Sequence, residues 1–418
     1  MYTRRSLLRA TAGLAGAAAL GVPRRAQARV AGPLLKFVFV VNYGGWDPTR
    51  VFASALEDPS VSTEAAATAA TAGGLAFVDH PERPSVRAWF ERHAARSVVF
   101  NGVLVPSVAH EACLRLALTG QLSAEAADWG TLLAAAAADA YPAPHVVLQA
   151  PSFPGPHGGL VTRTGSGQQL AALLSGDIAA WSDVPMARTT AEADAVMHAA
   201  LARRVAAAAE RARPGREAEL VEGLKGAVDR AGSLLGLADT VAWSAVTFGE
   251  QVALAVDLLA RGLTRVTTLA FATHGWDTHF DNDLHQSAAF EGLFAALLDL
   301  SAGLEARPGA CGGTLADETV VVVLSEMGRA PALNAANGKD HWPYTSALVT
   351  GPNLAGGRVI GSFDELFYGK PVDFATGEVA EGAGTLDAAA LGATLLTLAD
   401  LDPAEHLGAV EPVTAALA

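Results

Sequence analysis

The chain has 418 residues, 51% hydrophobic and 17% charged, which is long and apolar enough for a substantial core and excludes a disordered polymer. Its formal net charge of −14 repels phosphate at long range, so nucleic acid and anionic lipid are poor partners. The only cysteines, Cys113 and Cys311, leave open both a disulfide in an oxidising compartment and two free thiols.

Residues 1–28 read MYTRRSLLRATAGLAGAAALGVPRRAQA and hold five arginines and no acid. Thr3-Arg4-Arg5-Ser6-Leu7-Leu8 resembles a twin-arginine export signal. A weakly apolar Ala/Gly stretch follows, and Ala26-Gln27-Ala28 fits a small-residue cleavage site. The expectation is a periplasmic or secreted protein delivered by the twin-arginine export machinery, a route that carries folded proteins. No other segment approaches the ~20 uninterrupted apolar residues of a membrane span, so no stable span is expected.

Residues 35–41 (LKFVFVV) form a continuous apolar, β-branched run, the mark of a strand buried on both faces. Similar runs recur at 97–100, 145–148, 266–271, 319–324 and 346–349. Helical patterns lie between them, at TLLAAAAADAY after Gly130, GEQVALAVDLLARGL from Gly249 and SAAFEGLFAALLDLSAGLEA from Ser287. This alternation predicts an α/β fold, a mostly parallel central sheet flanked by helices. Residues 189–237 are rich in Ala, Arg and Glu at helical spacing and are broken by Pro214-Gly215. They predict a helical insertion within a single domain spanning 29–418. Near the C-terminus, LDAAALGATLLTLAD predicts a last helix. No Gly-rich phosphate-cradling loop occurs in a strand–helix setting.

Polar residues gather where the strands end. The run at 35–41 leads into NYGGWDPT with Asp47. The run at 266–271 leads into THGWDTH with His274, Asp277 and His279. The run at 319–324 leads into SEMGR with Glu326 and Arg329, and GKDHW follows with Asp340 and His341. In an open α/β sheet, ligands bind outside the carboxyl ends of the strands, so a parallel sheet would bring these groups to one edge. Asp277 and His279 at i and i+2 would point to one side of an extended backbone. A carboxylate with imidazoles suits zinc, manganese, calcium or iron without distinguishing them. The Gly44-Gly45 turn would let a substrate oxyanion approach backbone N–H groups. Each position also has an ordinary structural reading: Asp after Gly-Trp is a common turn residue, and Glu326 with Arg329 could be an ion pair at a helix start.

NYGGWD, GWDTH, SEMGR and DHW, in this order, resemble the DUF1501 family of exported bacterial proteins, which is itself similar to the alkaline phosphatase and sulfatase superfamily. The resemblance implies an alkaline phosphatase-like fold and a divalent metal ion. It places Asp277, His279 and His341 in one metal site and Asp47, Glu326 and His110 in a second, weaker one. Superfamily hydrolases carry a Ser, Thr or Cys nucleophile at the start of a helix ending in Thr-Gly. In VPSVAHEACLRLALTG the matching residue counted back from Thr119-Gly120 is His110, which would be a ligand or an acid/base with water attacking directly; Ser107, three residues earlier, could act only with a different helix start and otherwise caps the helix. Where a superfamily Asp-His pair is expected, this chain has Glu326-Met327. The activity so implied is hydrolysis of a phosphate or sulfate ester, of small-molecule or polymer kind. The alternative is a non-catalytic exported binding or cell-surface assembly protein on the same scaffold.

Overall fold

The apolar runs become strands because their β-branched side chains fill both faces of one sheet. The computed structural model describes residues 30–165, 169–174, 190–272 and 275–418; the expected signal at 1–28 and His274 lie outside them. In chain order the elements begin with β1 (Lys36–Asn42), β2 (Thr68–Ala72), β3 (Leu75–Asp79), α1 (Pro84–His93), β4 (Ser97–Leu104), α2 (His110–Thr119) and α3 (Trp129–Ala135). Next come β5 (His145–Leu148), β6 (Val161–Arg163), α4 (Gln169–Leu174), α5 (Ala191–Arg211), α6 (Arg216–Leu235) and α7 (Phe248–Ala260). The chain continues through β7 (Val266–Ala270), α8 (Asn282–Glu305), β8 (Thr319–Ser325), β9 (Gly328–Arg329), β10 (His341–Trp342), β11 (Tyr344–Thr350) and β12 (Arg358–Ile360). It closes with α9 (Ala388–Leu398) and α10 (Ala404–Leu407).

Eight strands form one sheet in the order β12-β4-β11-β8-β1-β7-β5-β6. All neighbours are parallel except β11, which runs against both β4 and β8. The expected mostly parallel sheet flanked by helices is what the chain forms. Along β1, Val38 and Val40 face a core layer shared with α1, α7 and α8. Phe37, Phe39 and Val41 face the opposite layer, built with α2, α3 and α9. This alternation is the period-2 geometry of a strand with helices on each side. Among the described residues α8 is long and apolar enough to cross a membrane. Its Phe290, Leu293 and Phe294 are instead buried in the core.

Two features were not evident in the sequence reading. Thr68–Ala72 and Leu75–Asp79 pair as an antiparallel hairpin around Gly73-Gly74, both at positive φ. Two elements, β9 and β10, pair His341 with Arg329 and Trp342 with Gly328. The described part of the expected insertion, 190–237, forms two helices with the break at the expected Pro214-Gly215. Of these, α6 donates from Arg230 Nε to the Gly159 carbonyl at 2.9 Å, against the segment Gly155–Leu160 that leads into edge strand β6. Cys113 is buried, Cys311 is exposed, and both are free thiols.

The topology fixes where the site must be. Neighbours β8, β1 and β7 are parallel and in register, with Asn42 opposite Ser325 and Val41 opposite Ala270, so their carboxyl ends open on one edge. Because β11 opposes both β4 and β8, strand β4 also ends on that edge, and β11 begins there. The segments after β1, β4, β7 and β8 and before β11 therefore converge.

Candidate metal centre

Helix α2 begins at His110 and ends at Thr119, with Gly120 at φ +68 closing it in the left-handed conformation that glycine adopts freely. His110 thus occupies the first turn, at the sheet edge. Its ring Nδ1 is 2.8 Å from Glu326 Oε1, and its Nε2 is 3.4 Å from Asp277 Oδ2. His341, at the start of the β10 ribbon, places Nε2 3.1 Å from Asp277 Oδ1. His279 Nε2 is 3.2 Å from the same oxygen and 3.0 Å from His341 Nε2. Ligand atoms of His110, Asp277 and His341 all lie within 4.8 Å of one another.

The outer partners of the rings show which nitrogens face inward. His341 Nδ1 sits 2.8 Å from the Val108 carbonyl, which can only accept, so Nδ1 carries a proton. His110 Nδ1 faces the Glu326 carboxylate, and His279 Nδ1 is 3.0 Å from Asp340 Oδ1. In neutral rings all three Nε2 lone pairs then point at the Asp277 oxygens. Lone pairs facing lone pairs at 3.0–3.4 Å hold together only around positive charge, a shared proton or a metal cation. An ion about 2.1 Å from each tetrahedral ligand would set ligand atoms about 3.4 Å apart; Asp277 stands 3.1 Å from His341 and 3.4 Å from His110, and the three sets of ligand atoms lie within 4.8 Å of one another. Imidazoles backed by a carboxylate or a carbonyl are also how metal-ligating histidines are usually held. The residues fit a divalent metal.

Buried groups stabilise this arrangement. Glu326 is fully buried and accepts from the backbone N–H of Gly44 at 2.8 Å and of Gly45 at 3.3 Å. The N–H pair expected to meet a substrate oxyanion is therefore engaged by Glu326. Arg329, also fully buried, does not pair with Glu326. It donates to Asp277 Oδ1 at 2.7 Å, to the carbonyls of Gly45 at 2.9 Å and Lys339 at 3.0 Å, and to that of Gly44. Burial alone would raise the Asp277 carboxyl. The Arg329 guanidinium, which donates to it at 2.7 Å, and the neighbouring His341 ring overcome this and hold it at about 2. The His110 ring is pushed above its ordinary value, chiefly by its hydrogen bond to Glu326, against the opposing effect of burial.

Asp47 is not in this cluster. Its carboxylate is fully buried and takes Lys339 Nζ at 2.9 Å, Asn282 Nδ2 at 3.0 Å and Thr49 Oγ1 at 2.6 Å. An ammonium thus stands beside Asp47 where the sequence reading expected a second metal. Burial would raise this carboxyl, but the charges of Lys339 and Arg50 hold it well below the usual carboxylate range. Ser107 also stands apart. Its hydroxyl accepts from the Ala109 N–H at 3.2 Å and contacts the Cys113 thiol. Because Ala109 is the residue at the helix cap, Ser107 does not cap α2.

Gln286, not among the sequence candidates, bridges the two Gly-Trp-Asp turns with its amide. It donates to the carbonyls of Gly45 at 3.2 Å and Trp276 at 2.9 Å, and accepts from the Asp47 N–H at 2.9 Å. Asn282 and Gln286, two amides four residues apart near the start of an apolar helix, share one helical face and were the available signal.

Solved structures similar to this chain include "Crystal structure of the lipoteichoic acid synthase LtaP from Listeria monocytogenes", at 8% identity and TM-score 0.39. That match covers 93% of this chain and 76% of the other. A second is the phosphonate monoester hydrolase of Agrobacterium radiobacter, at 12% identity and TM-score 0.34, covering 90% and 78%. No curated protein sequence matches significantly. A family model described as "Protein of unknown function (DUF1501)" matches residues 57–376, and the chain belongs to that family.

Proposed function

We propose that the protein is an exported hydrolase of phosphate or sulfate esters that works with one divalent metal ion. The carrying observation is the convergence of His110, Asp277 and His341 on one point at the sheet edge, with His279 against them. A divalent ion bound there would supply Lewis-acid chemistry. His110, Asp277 and His341 would hold it, Glu326 and the Val108 carbonyl orient two of the rings, and Arg329 keeps Asp277 ionised. His279 is the most open of the three rings, at 43% exposure, and has Asp340 behind it. It is placed to move a proton. In the overall reaction the oxygen of water joins phosphorus or sulfur, the ester oxygen leaves, and the departing alcohol takes up a proton. The position matching a superfamily nucleophile holds a histidine, so direct attack by water is the simplest route.

One observation favours a non-catalytic reading: Asp47 is tied to Lys339, and a histidine instead of a hydroxyl begins α2, so the described residues form neither the expected second metal site nor the superfamily's covalent nucleophile. Elemental analysis of untagged, chelator-free protein separates the cases when joined to an ester screen. About one equivalent of metal, lost in His110→Ala with His341→Ala, together with ester turnover supports the hydrolase. Bound metal without turnover of any ester favours the binding protein, and a metal-free folded protein refutes both metal readings. Export rests on residues 1–28; cell fractionation of the Arg4→Lys, Arg5→Lys double variant tests it, since retention in the cytoplasm is expected.

A further inference from the structure

A cleft separate from the metal centre lies beside edge strand β12, between residues 52–58, which follow β1, and residues 359–370. It encloses about 590 Å³, within the range of small-molecule sites. His110, Asp277, His279 and His341 do not line it, so what it binds does not depend on the metal or on the hydrolase reading.

The walls of this cleft are apolar. Phe52, Leu56, Val359, Phe363 and Phe367 form them, and the Phe363 and Phe367 rings stack with centroids 4.1 Å apart and planes 5° from parallel. Phe367 takes φ +63, a left-handed backbone that bulky side chains rarely adopt and that clusters at ligand clamps. The turn around it is fixed. Asp364 Oδ1 accepts from the N–H groups of Leu366 at 2.9 Å and Tyr368 at 2.8 Å, and the Phe367 carbonyl accepts from Trp342 Nε1 at 2.7 Å. The aromatic wall is thus built before a ligand arrives, which lowers the ordering cost of binding.

The charged lining is acidic. Glu57, Asp58, Asp364 and Glu365 stand against a single cation, Lys370, among the described lining residues. The Ser60 hydroxyl and N–H donate to Asp58 and hold its carboxyl below the usual range, so it stays ionised. The net charge of −14 adds a field of the same sign at long range. Asn101, also in the lining, donates its amide to the Phe52 carbonyl at 2.9 Å and accepts from the Ser346 hydroxyl at 2.7 Å. Selection by charge therefore falls to the carboxylates.

We infer that this cleft binds a small organic cation with an apolar body, an alkyl- or aryl-ammonium compound. Its body lies against the Phe363 and Phe367 wall, and its charge meets the carboxylates.

The test is isothermal titration of the full chain at pH 7 and low salt with phenethylamine, phenethyl alcohol and phenylacetate. These offer a cation, a neutral molecule and an anion on nearly the same body. The series is run on the protein as isolated and after dialysis against a chelator, and the dialysed sample keeps the phenylacetate carboxylate from reporting a metal. There phenethylamine should bind about tenfold or more tightly than phenylacetate, with the alcohol between them. Its affinity should be the same in both samples. Glu57→Gln combined with Glu365→Gln should weaken phenethylamine about three- to tenfold and leave the alcohol unchanged. Both carboxylates are exposed, so this variant keeps the fold. Phe363→Ala should weaken phenethylamine and the alcohol alike, by about fivefold. Tighter binding of phenylacetate to the dialysed protein overturns the inference. So does absence of saturable phenethylamine binding at millimolar concentration, its loss on chelation, or binding that neither variant changes.

Discussion

Lys339 places its ammonium 2.9 Å from the Asp47 carboxylate, and both side chains are fully buried. Each has left water for the other, so the pair holds only while both members are present. Lys339→Met is expected to cost about 3–5 kcal/mol in denaturant unfolding, because it leaves an underpaired buried carboxylate. Asp47→Asn should also destabilise, yet metal stoichiometry should be unchanged in any folded Asp47 variant. Loss of one metal equivalent in Asp47→Asn would mean that Asp47 ligates after all.

Glu326 acts on His110 from behind. It accepts from the Gly44 and Gly45 N–H groups and faces the His110 Nδ1 at 2.8 Å, which fixes the ring with Nε2 toward Asp277. Removing the charge while keeping the shape should weaken the ligand without emptying the site. Glu326→Gln is expected to lower metal affinity about 10–100-fold in equilibrium dialysis, with the circular dichroism spectrum unchanged. An unaltered affinity would show that His110 does not bind the metal.

The packing at Gly338 sets the distance between two ligand-bearing loops. A methyl group at this position would fall on the main-chain carbonyl of His279. The segment carrying Asp340 and His341 would have to move away from His279. Gly338→Ala should therefore cost about 1–3 kcal/mol of stability through overpacking and reduce metal affinity more than tenfold. Retained affinity would place His341 outside the metal's ligands.

Particular residues show how far the sequence carries. The strand positions were legible because LKFVFVV and its counterparts are apolar on both faces, and burial on both faces requires that. His110 was legible only through the family resemblance, which sets a site residue at the start of the helix that ends in Thr119-Gly120. The partners of Asp47 and Arg329 were not legible, whereas Glu326 and His110, grouped by the resemblance, do meet at 2.8 Å. The GGWD turn could present its carboxylate to the edge or to the interior, and only the path of the Gly338-Lys339 segment brings an ammonium to it. The hairpin at Thr68–Asp79 was missed because TAATA alternates too weakly in hydrophobicity, although Gly73-Gly74 is a turn signal.

His93, at the end of α1, is 4% exposed, and its Nε2 has no hydrogen-bond partner. Burial lowers the pKa of this ring to about 4. The unfolded chain, with an ordinary value near 6.5, therefore binds a proton more readily than the folded one. By linkage the contribution is fully present above about pH 6.5, declines as pH falls, and levels off below about pH 4. At about 1.4 kcal/mol per unit the loss would reach at most about 3.5 kcal/mol, and it is smaller to the extent that water reaches the ring. Chemical denaturation of wild type and His93→Gln between pH 7 and 4 measures it. The wild type should lose stability more steeply by about 1–2 kcal/mol across that range, and parallel pH profiles would show that His93 is already charged in the fold.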